Sequence, residues 1–284
     1  MELWFTEKQT SSVGITCKVR RTLLEEHTGY QHMAVLETEQ FGRMLVLDGM
    51  VQTTEADEFV YHEMIVHVAM NTHPRPRRVA VIGGGDGGTI REVLKHPSVE
   101  EAVLVEIDGR VVEAAREFLP SISRGLADPR VRIEIGDGVE HIRNAKEAYD
   151  VILIDSTEPV GAAVGLFSPE FYRDVCNALR EDGLMVAQTE SPFFNQELIR
   201  RTQAGIRASF PVTRLYLANI PTYPSGLWSF TVGSRRYDPL AVDPASIPPL
   251  DTRYYCPEIH HAAFRLPPFV RQLVGEAAAV GDGV

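Results

Sequence analysis

The sequence predicts a doubly wound α/β domain preceded by a small antiparallel β-sheet, and three observations carry that expectation. Between Ile15 and Thr54, short stretches of alternating apolar and polar residues are separated by turn-forming dipeptides. Beyond Pro76 the pattern changes to continuous apolar runs interleaved with helical segments, as expected of buried parallel strands joined by crossover helices. The first of these runs leads into Gly83-Gly84-Gly85-Asp86-Gly87-Gly88, a glycine-rich strand-to-helix turn. A chain of 284 residues, 44% hydrophobic and 24% charged, has room for one large domain and a small accessory one. The expected division is a β-sheet domain over 1–54 and a catalytic domain over 55–284.

In the first part, segments 15–19, 32–36 and 44–47 are strands separated by Thr28-Gly29, Gln40-Phe41-Gly42 and Asp48-Gly49. Segment 55–70 has helical spacing, with Phe59, Met64, Val66 and Met70 among charged positions, until His73-Pro74-Arg75-Pro76 stops it. Strands are then expected at 79–82, 102–105, 131–135, 151–154 and 184–187, alternating with helices at 89–95, 109–118, 139–144, 170–179 and 196–209. Ser168 and Pro169 read as the cap and first-turn residue of the fourth of these helices. Segments 214–218 and 228–232 flank a proline-rich hairpin tip at 220–226, and the small residues of 275–284 are expected to fray.

With 28 Lys and Arg against 39 Asp and Glu, the formal charge is −11, which disfavours phosphate backbones and anionic lipid and suits a cationic small substrate. No apolar run reaches the length of a membrane span, and the first residues lack the basic and apolar regions of a signal peptide, so a cytoplasmic protein is expected. Cys17, Cys176 and Cys256 have no disulfide-framework or zinc-site spacing, and neither do His67, His73, His96, His141 or the pair His260 and His261. No metal site is expected.

Four carboxylates each follow a predicted strand: Asp86, Glu106, Asp137 and Asp155. The carboxyl ends of such strands share one crevice, so the four converge. Gly83, Gly85 and Gly88 fit the G-x-G-x-x-G dinucleotide pattern, and Glu106 lies about twenty residues on, where an acid accepts hydrogen bonds from ribose hydroxyls. Such a short pattern also fits a plain tight turn. A dinucleotide carries two phosphates, which several carboxylates would repel in a low-dielectric pocket. A nucleoside bearing positive charge, such as a sulfonium of the S-adenosylmethionine type, fits better, and a nicotinamide-dependent oxidoreductase is the competing reading.

Leu47-Asp48-Gly49, the segment from Thr54 to Glu63, Ile82 to Gly88, Glu106-Ile107-Asp108, Gly136-Asp137-Gly138, Asp155 to Gly161 and Pro221 to Trp228 together resemble the spermidine synthases, a branch of the polyamine aminopropyltransferases. The resemblance implies a seven-stranded, Rossmann-like domain of the class I adenosyl-methyltransferase type. It also implies transfer of an aminopropyl group from decarboxylated S-adenosylmethionine, a co-substrate, to putrescine, without a metal or redox cofactor. Dimers or tetramers are usual in such a family, with the N-terminal sheet as the natural meeting place.

Carried over residue by residue, the resemblance implies that Gln31, Glu106, Asp137 and Gly138 hold the adenosine part, with Gln52 nearby and Ala162 in the loop that covers it. Tyr61, His62, Asp86, Asp155, Ser156, Thr157, Glu158 and Tyr223 are then expected around the aminopropyl group and the diamine, with Gln188 as a further contact. Two residues depart from the family's usual pattern: Glu158 stands where Asp is usual and Ala162 where Pro is usual. The first bears on amine preference, and the second relaxes a loop that proline stiffens.

A sulfonium departs as a neutral thioether and needs no acid, whereas a primary amine with a pKa of about 10 hides its lone pair under a proton at neutral pH. Asp155, supported by Tyr61, is therefore expected to orient the amine and accept its proton. Glu158 and His62 are expected to hold the far ammonium. Asp86 is expected to attract the aminopropyl ammonium and repel the carboxylate of intact S-adenosylmethionine. Sister enzymes acting on agmatine, cadaverine or spermidine share nearly all these motifs. A nucleoside-binding module without catalysis would not need Tyr61, Asp155 and Glu158 together.

Overall fold

The computed structural model describes residues 2–157 and 161–275. Strands β1 (Leu3–Lys8), β2 (Gly14–His27), β3 (His32–Thr38), β4 (Arg43–Leu47) and β5 (Met50–Thr54) form an antiparallel sheet in chain order. The β4–β5 hairpin closes with Leu47 opposite Met50 across a two-residue turn, Asp48 and Gly49, both at positive φ. Such a turn matches the twist of the strands it joins. Strand β1 lies before the first predicted strand. Its Leu3 and Trp4 are about half exposed and its buried residue is the carboxylate Glu7, so apolar alternation does not reveal it.

Helix α1 (Glu58–Thr72) is buried on nearly every side, which explains its weak amphipathic pattern. It ends at His73, whose extended backbone is the conformation favoured before Pro74. There follow β6 (Arg78–Gly83), α2 (Gly88–Val93), β7 (Glu101–Glu106), α3 (Gly109–Phe118), α4 (Pro120–Ser123), β8 (Val131–Ile135), α5 (Gly138–Asn144) and β9 (Tyr149–Asp155). After them come α6 (Pro169–Ala178), β10 (Leu179–Gln188), α7 (Gln196–Ser209), β11 (Val212–Asn219) and β12 (Leu227–Ser234), then α8 (Pro257–Ala262) and α9 (Pro268–Leu273).

The second sheet has the order β11-β12-β10-β9-β6-β7-β8. Strands β6 to β10 run parallel, while β12 is antiparallel to both β10 and β11. The central strands β6, β7 and β9 carry continuous apolar runs because both faces are covered, whereas β8, at the sheet edge, alternates (Val131-Arg132-Ile133-Glu134-Ile135) and is only partly buried, unlike the buried run expected there. Val79, Val81, Leu104, Val151 and Leu153 face one cluster with α1 and α2, and Ala80, Ile82, Val103, Ile152 and Ile154 face another with α5 and α6. Because β7 and β8 extend to one side of β6 and β9 and β10 to the other, the strand order reverses between β6 and β9, where such folds bind their ligands.

Several boundaries depart from expectation. Leu179, predicted as a helix end, instead opens β10 opposite Tyr149, and a register irregularity separates it from Leu184. The chain from Pro239 onward forms short turns and helices without readable periodicity, anchored by Glu63, whose carboxylate accepts the backbone N–H groups of Arg253, Tyr254 and Tyr255 at 2.8 Å each. Residues 276–284, expected to fray, lie outside the described residues. Among the described residues no helix is long and apolar enough to cross a membrane.

Candidate active site

A cleft opens at the carboxyl ends of β6, β7 and β9 and is roofed by the first sheet through Leu45, Leu47, Met50 and Gln52 and by the β2–β3 turn through Tyr30 and Gln31. All four predicted carboxylates, Asp86, Glu106, Asp137 and Asp155, line it, as do Gly138, Tyr61, His62, Ser156, Thr157 and Tyr223. A smaller hollow adjoins it, sharing Gln52, Tyr61, Ser156, Thr157 and Tyr223 and adding Glu7, Gln188 and Trp228. Ala163 and Leu166, from the 3-10 turn Gly161–Phe167, border the cleft. Glu158 and the side chain of Ala162 lie outside what is described.

The glycine-rich turn serves the carboxylates rather than a diphosphate. Gly84, at φ 70°, passes so close to Asp155 that a Cβ there would lie 2.4 Å from Oδ2. A Cβ on Gly88 would lie 2.2 to 2.6 Å from three atoms of the His62 ring. Helix propensity alone favours Ala at Gly88 by about 1 kcal/mol, but the ring is pinned and overpacking of a fixed neighbour costs roughly 1–3 kcal/mol or more. Gly88→Ala should therefore lower the urea unfolding midpoint. An unchanged midpoint would mean that His62 can move aside.

His62 is pinned because both ring nitrogens meet carboxylates: Nδ1 lies 2.5 Å from Glu58 Oε2 and Nε2 3.5 Å from Asp86 Oδ1. The residue is 2% exposed. Burial disfavours the charged ring, yet Asp86 and Glu58 outweigh it and hold the imidazole well above its ordinary pKa. Glu58 in turn receives both terminal nitrogens of Arg91, at 2.9 and 2.8 Å. Both ring nitrogens of His62, expected to help hold the far ammonium, face Glu58 and Asp86, and a ring held toward its charged form does not favour a direct contact with an ammonium. Asp86 Oδ1 also accepts Gly88 N–H at 2.7 Å. Burial pushes Asp86 up, but His62 and this N–H bring it below its ordinary value.

Asp155 is held from two sides. Tyr61 OH donates to Oδ1 at 2.8 Å and Thr89 Oγ1 donates to Oδ2 at 2.6 Å. Desolvation and the charge of Asp86 raise its pKa against the opposing influence of His62, Thr89 and Tyr61. Burial and Asp155 push the Tyr61 phenol far above its ordinary range, so Tyr61 is a neutral donor rather than a base. Tyr223 OH donates to Gln52 O at 2.7 Å, and its ring stands edge-on to Trp228, with centroids 4.7 Å apart. Tyr223 thus combines packing with a place on the cleft wall.

At the end of β7, Glu106 Oε1 accepts Asp108 N–H at 3.0 Å and Oε2 accepts Gly85 N–H at 3.1 Å. Burial pushes its carboxyl up to about 7 despite these donors. Gln31 donates to Asp108 Oδ2 at 2.9 Å, and Asp137 caps α5 by accepting Val139 N–H at 2.7 Å. Gln188 borders only the smaller hollow, its Nε2 donating to Ser156 O at 3.0 Å. Sequence reasoning missed four polar residues here. Glu7, 3% exposed, borders that hollow, Thr89 holds Asp155, and the Glu58–Arg91 pair backs His62. Ser156 Oγ and Trp228 Nε1 are buried without a hydrogen-bond partner among the described residues, and both residues line the hollow.

Comparison with known proteins agrees with this geometry. Residues 58–242 match a family model described as spermine/spermidine synthase domain, and residues 3–55 match one described as spermidine synthase tetramerisation domain. Polyamine aminopropyltransferases of Caldicellulosiruptor saccharolyticus and Bacillus subtilis are each 58% identical, over 96% of this chain and 99% of theirs. A crystal structure of a spermidine synthase in complex with the transition-state analogue AdoDATO superposes with a TM-score of 0.94 at 45% identity, covering 96% of this chain and 95% of that one. The spermidine synthase of Thermotoga maritima gives 0.91 at 44%, covering 96% and 94%. With both sheets matched and relatives more than half identical along nearly its whole length, the chain belongs to the spermine/spermidine synthase family of polyamine aminopropyltransferases.

Proposed function

We propose that this aminopropyltransferase takes its aminopropyl group from decarboxylated S-adenosylmethionine and gives it to putrescine, releasing spermidine and methylthioadenosine. The observation that carries the reading is the place of Asp155 and Tyr61 on the wall of the large cleft, with Tyr61, Ser156 and Thr157 shared with the smaller hollow. A nucleoside in the first and an amine in the second meet there. The amine nitrogen attacks the propyl carbon beside sulfur; the C–N bond forms, the C–S bond breaks, and its electron pair neutralises the sulfonium. One N–H proton passes to Asp155 and then to solvent. Because the leaving group is a neutral thioether, the reaction calls for no Lewis acid or redox cofactor.

In this reading Glu106, Asp137, Gly138, Gln31 and Gln52 hold the adenosine part. Asp86 takes the aminopropyl ammonium, and His62 acts through Asp86 rather than on the ligand. The carboxylate of intact S-adenosylmethionine would meet Asp86 as a like charge. Glu7, Gln188, Thr157 and Tyr223 line the amine's hollow, together with Ser156 Oγ and Trp228 Nε1, which have no hydrogen-bond partner among the described residues. The enzyme is a homo-oligomer joined through its N-terminal sheet, a reading supported by the name of the family model matched there, and it works in the cytoplasm.

The test is competition: the protein is given decarboxylated or intact S-adenosylmethionine and equimolar putrescine, cadaverine, agmatine and spermidine, and products are identified by mass. Spermidine with methylthioadenosine, formed from the decarboxylated donor alone, is expected. Aminopropylagmatine or aminopropylcadaverine as the main product would move the acceptor while keeping the chemistry.

A further inference from the structure

We propose that Thr89 is a positioning residue for Asp155, its hydroxyl anchoring Oδ2 so that Oδ1, on the Tyr61 side, is the oxygen that receives the amine's proton. The inference rests on the reading of Asp155 as proton acceptor.

Thr89 is the second residue of α2, fully buried, and does not line the cleft. A threonine at a helix start ordinarily serves the helix backbone. Here the cap position belongs to Gly87, the helix has no side-chain cap, and the Thr89 hydroxyl lies 2.6 Å from Asp155 Oδ2. An ionised carboxylate only accepts hydrogen bonds, so the hydroxyl is the donor. The terminal torsion of an aspartate is broad and nearly two-fold, so an unrestrained Asp155 could offer either oxygen. Two hydroxyls from different helices remove that freedom: Tyr61 OH on Oδ1 at 2.8 Å and Thr89 on Oδ2.

The two oxygens are not equivalent. Oδ2 is turned toward the glycine-rich turn, where Gly84 leaves no room for even a methyl group against it. Oδ1 is on the side of Tyr61, which borders both the cleft and the hollow. The β-branched side chain of Thr89 has a stiff χ1, so its hydroxyl is held with little freedom to turn away.

The charged and titratable groups facing Asp155 are Tyr61 and His62 from α1, Asp86 from the turn before α2 and Glu106 from β7. Desolvation and Asp86 push its pKa up, and His62, Thr89 and Tyr61 push it down. Loss of the Thr89 donor therefore raises it further, so a higher pH is needed to ionise the acceptor.

The experiment compares kcat against pH at saturating nucleoside and amine in wild type, Thr89→Val, which keeps shape and branching, and Thr89→Ser, which keeps the hydroxyl. The valine variant should lose about three- to tenfold in kcat near neutral pH and show its acidic limb about half to one pH unit higher. Its affinity for methylthioadenosine should match wild type, and the serine variant should recover most of both losses. Coincident profiles for the valine variant and wild type would overturn the proposal, as would a serine variant that behaves like valine. Should the valine protein not fold, Thr89→Ala carries the same expectation. An Asp155→Asn variant run alongside separates the two readings: if it keeps wild-type kcat, the assignment of Asp155 fails; if it is inactive while Thr89→Val is normal, the role of Thr89 fails.

Discussion

Asp155→Asn should lower kcat by about 10²- to 10⁴-fold, the usual worth of a positioned general base, and leave the affinity for methylthioadenosine within a few-fold of wild type. The side chains are nearly isosteric, and the hydroxyls of Tyr61 and Thr89 can each turn to donate or accept, so the amide keeps its place between them. What it cannot do is accept a proton. Desolvation and Asp86 hold the Asp155 pKa above its ordinary value, so wild-type kcat should fall as pH drops through that raised value, and this limb should vanish in the variant. Steady-state rates across pH, with calorimetry of methylthioadenosine, check both parts. A kcat within tenfold of wild type, with the acidic limb intact, would reassign the proton to water and leave Asp155 as an orienting group.

The distinction between acceptor and anchor could not be read from sequence, because it depends on which hydroxyl reaches which oxygen across elements distant in the chain. What could be read was the placing of acids after strands. Asp86, Glu106, Asp137 and Asp155 converge because parallel strands end at one edge, a consequence of topology that follows once the apolar runs are recognised. Those runs are legible for a physical reason: where a strand is covered on both faces, as in β6 over 79–82 and β9 over 151–154, successive residues are all apolar. Strand β1 was invisible because it is exposed and its inward residue is Glu7, a carboxylate that accepts Val51 N–H at 2.7 Å.

Buried charge was the other blind spot. Glu58 and Arg91, which have no role assigned from the sequence, and His62 sit on α1 and α2, stacked between the helices and ending on Asp86. Their burial is supported by mutual pairing: burial pushes Glu58 up, while His62 and Arg91 more than offset it. The matched motif drew attention to His62, but only the geometry places its ring between Glu58 and Asp86, the two carboxylates that hold its pKa above the ordinary value. Gly88, counted at first in a nucleotide pattern, is glycine because His62 lies on it.

Glu106→Gln should weaken methylthioadenosine binding by about 10²- to 10³-fold, on the scale of two hydrogen bonds to a charged acceptor, and abolish the pH dependence of that binding. In the proposed site the ribose hydroxyls donate to this carboxylate, whose two oxygens each already accept one backbone N–H. A glutamine turns an NH₂ toward either Gly85 N–H or Asp108 N–H, donor against donor, and offers the ribose one acceptor instead of two. The pH argument follows from the raised carboxyl, at about 7 against an ordinary 4.5, with burial as the chief cause. In the free protein the protonated form predominates below about pH 7, so its contribution to stability is fully present below pH 4.5 and is lost as pH rises from there through about 7. The loss is on the order of 3 kcal/mol. A ligand that donates to the ionised form pulls the proton off. Its affinity should therefore fall about tenfold per unit below pH 7 and level off above it. Calorimetry from pH 5.5 to 8.5 in buffers of different ionisation enthalpy reads both the affinity and the released proton. In Glu106→Gln the affinity should be flat and no proton released, because the group that titrates has gone. If wild type is itself flat, the ribose is held elsewhere, and Asp137 at the start of α5 becomes the acid to test.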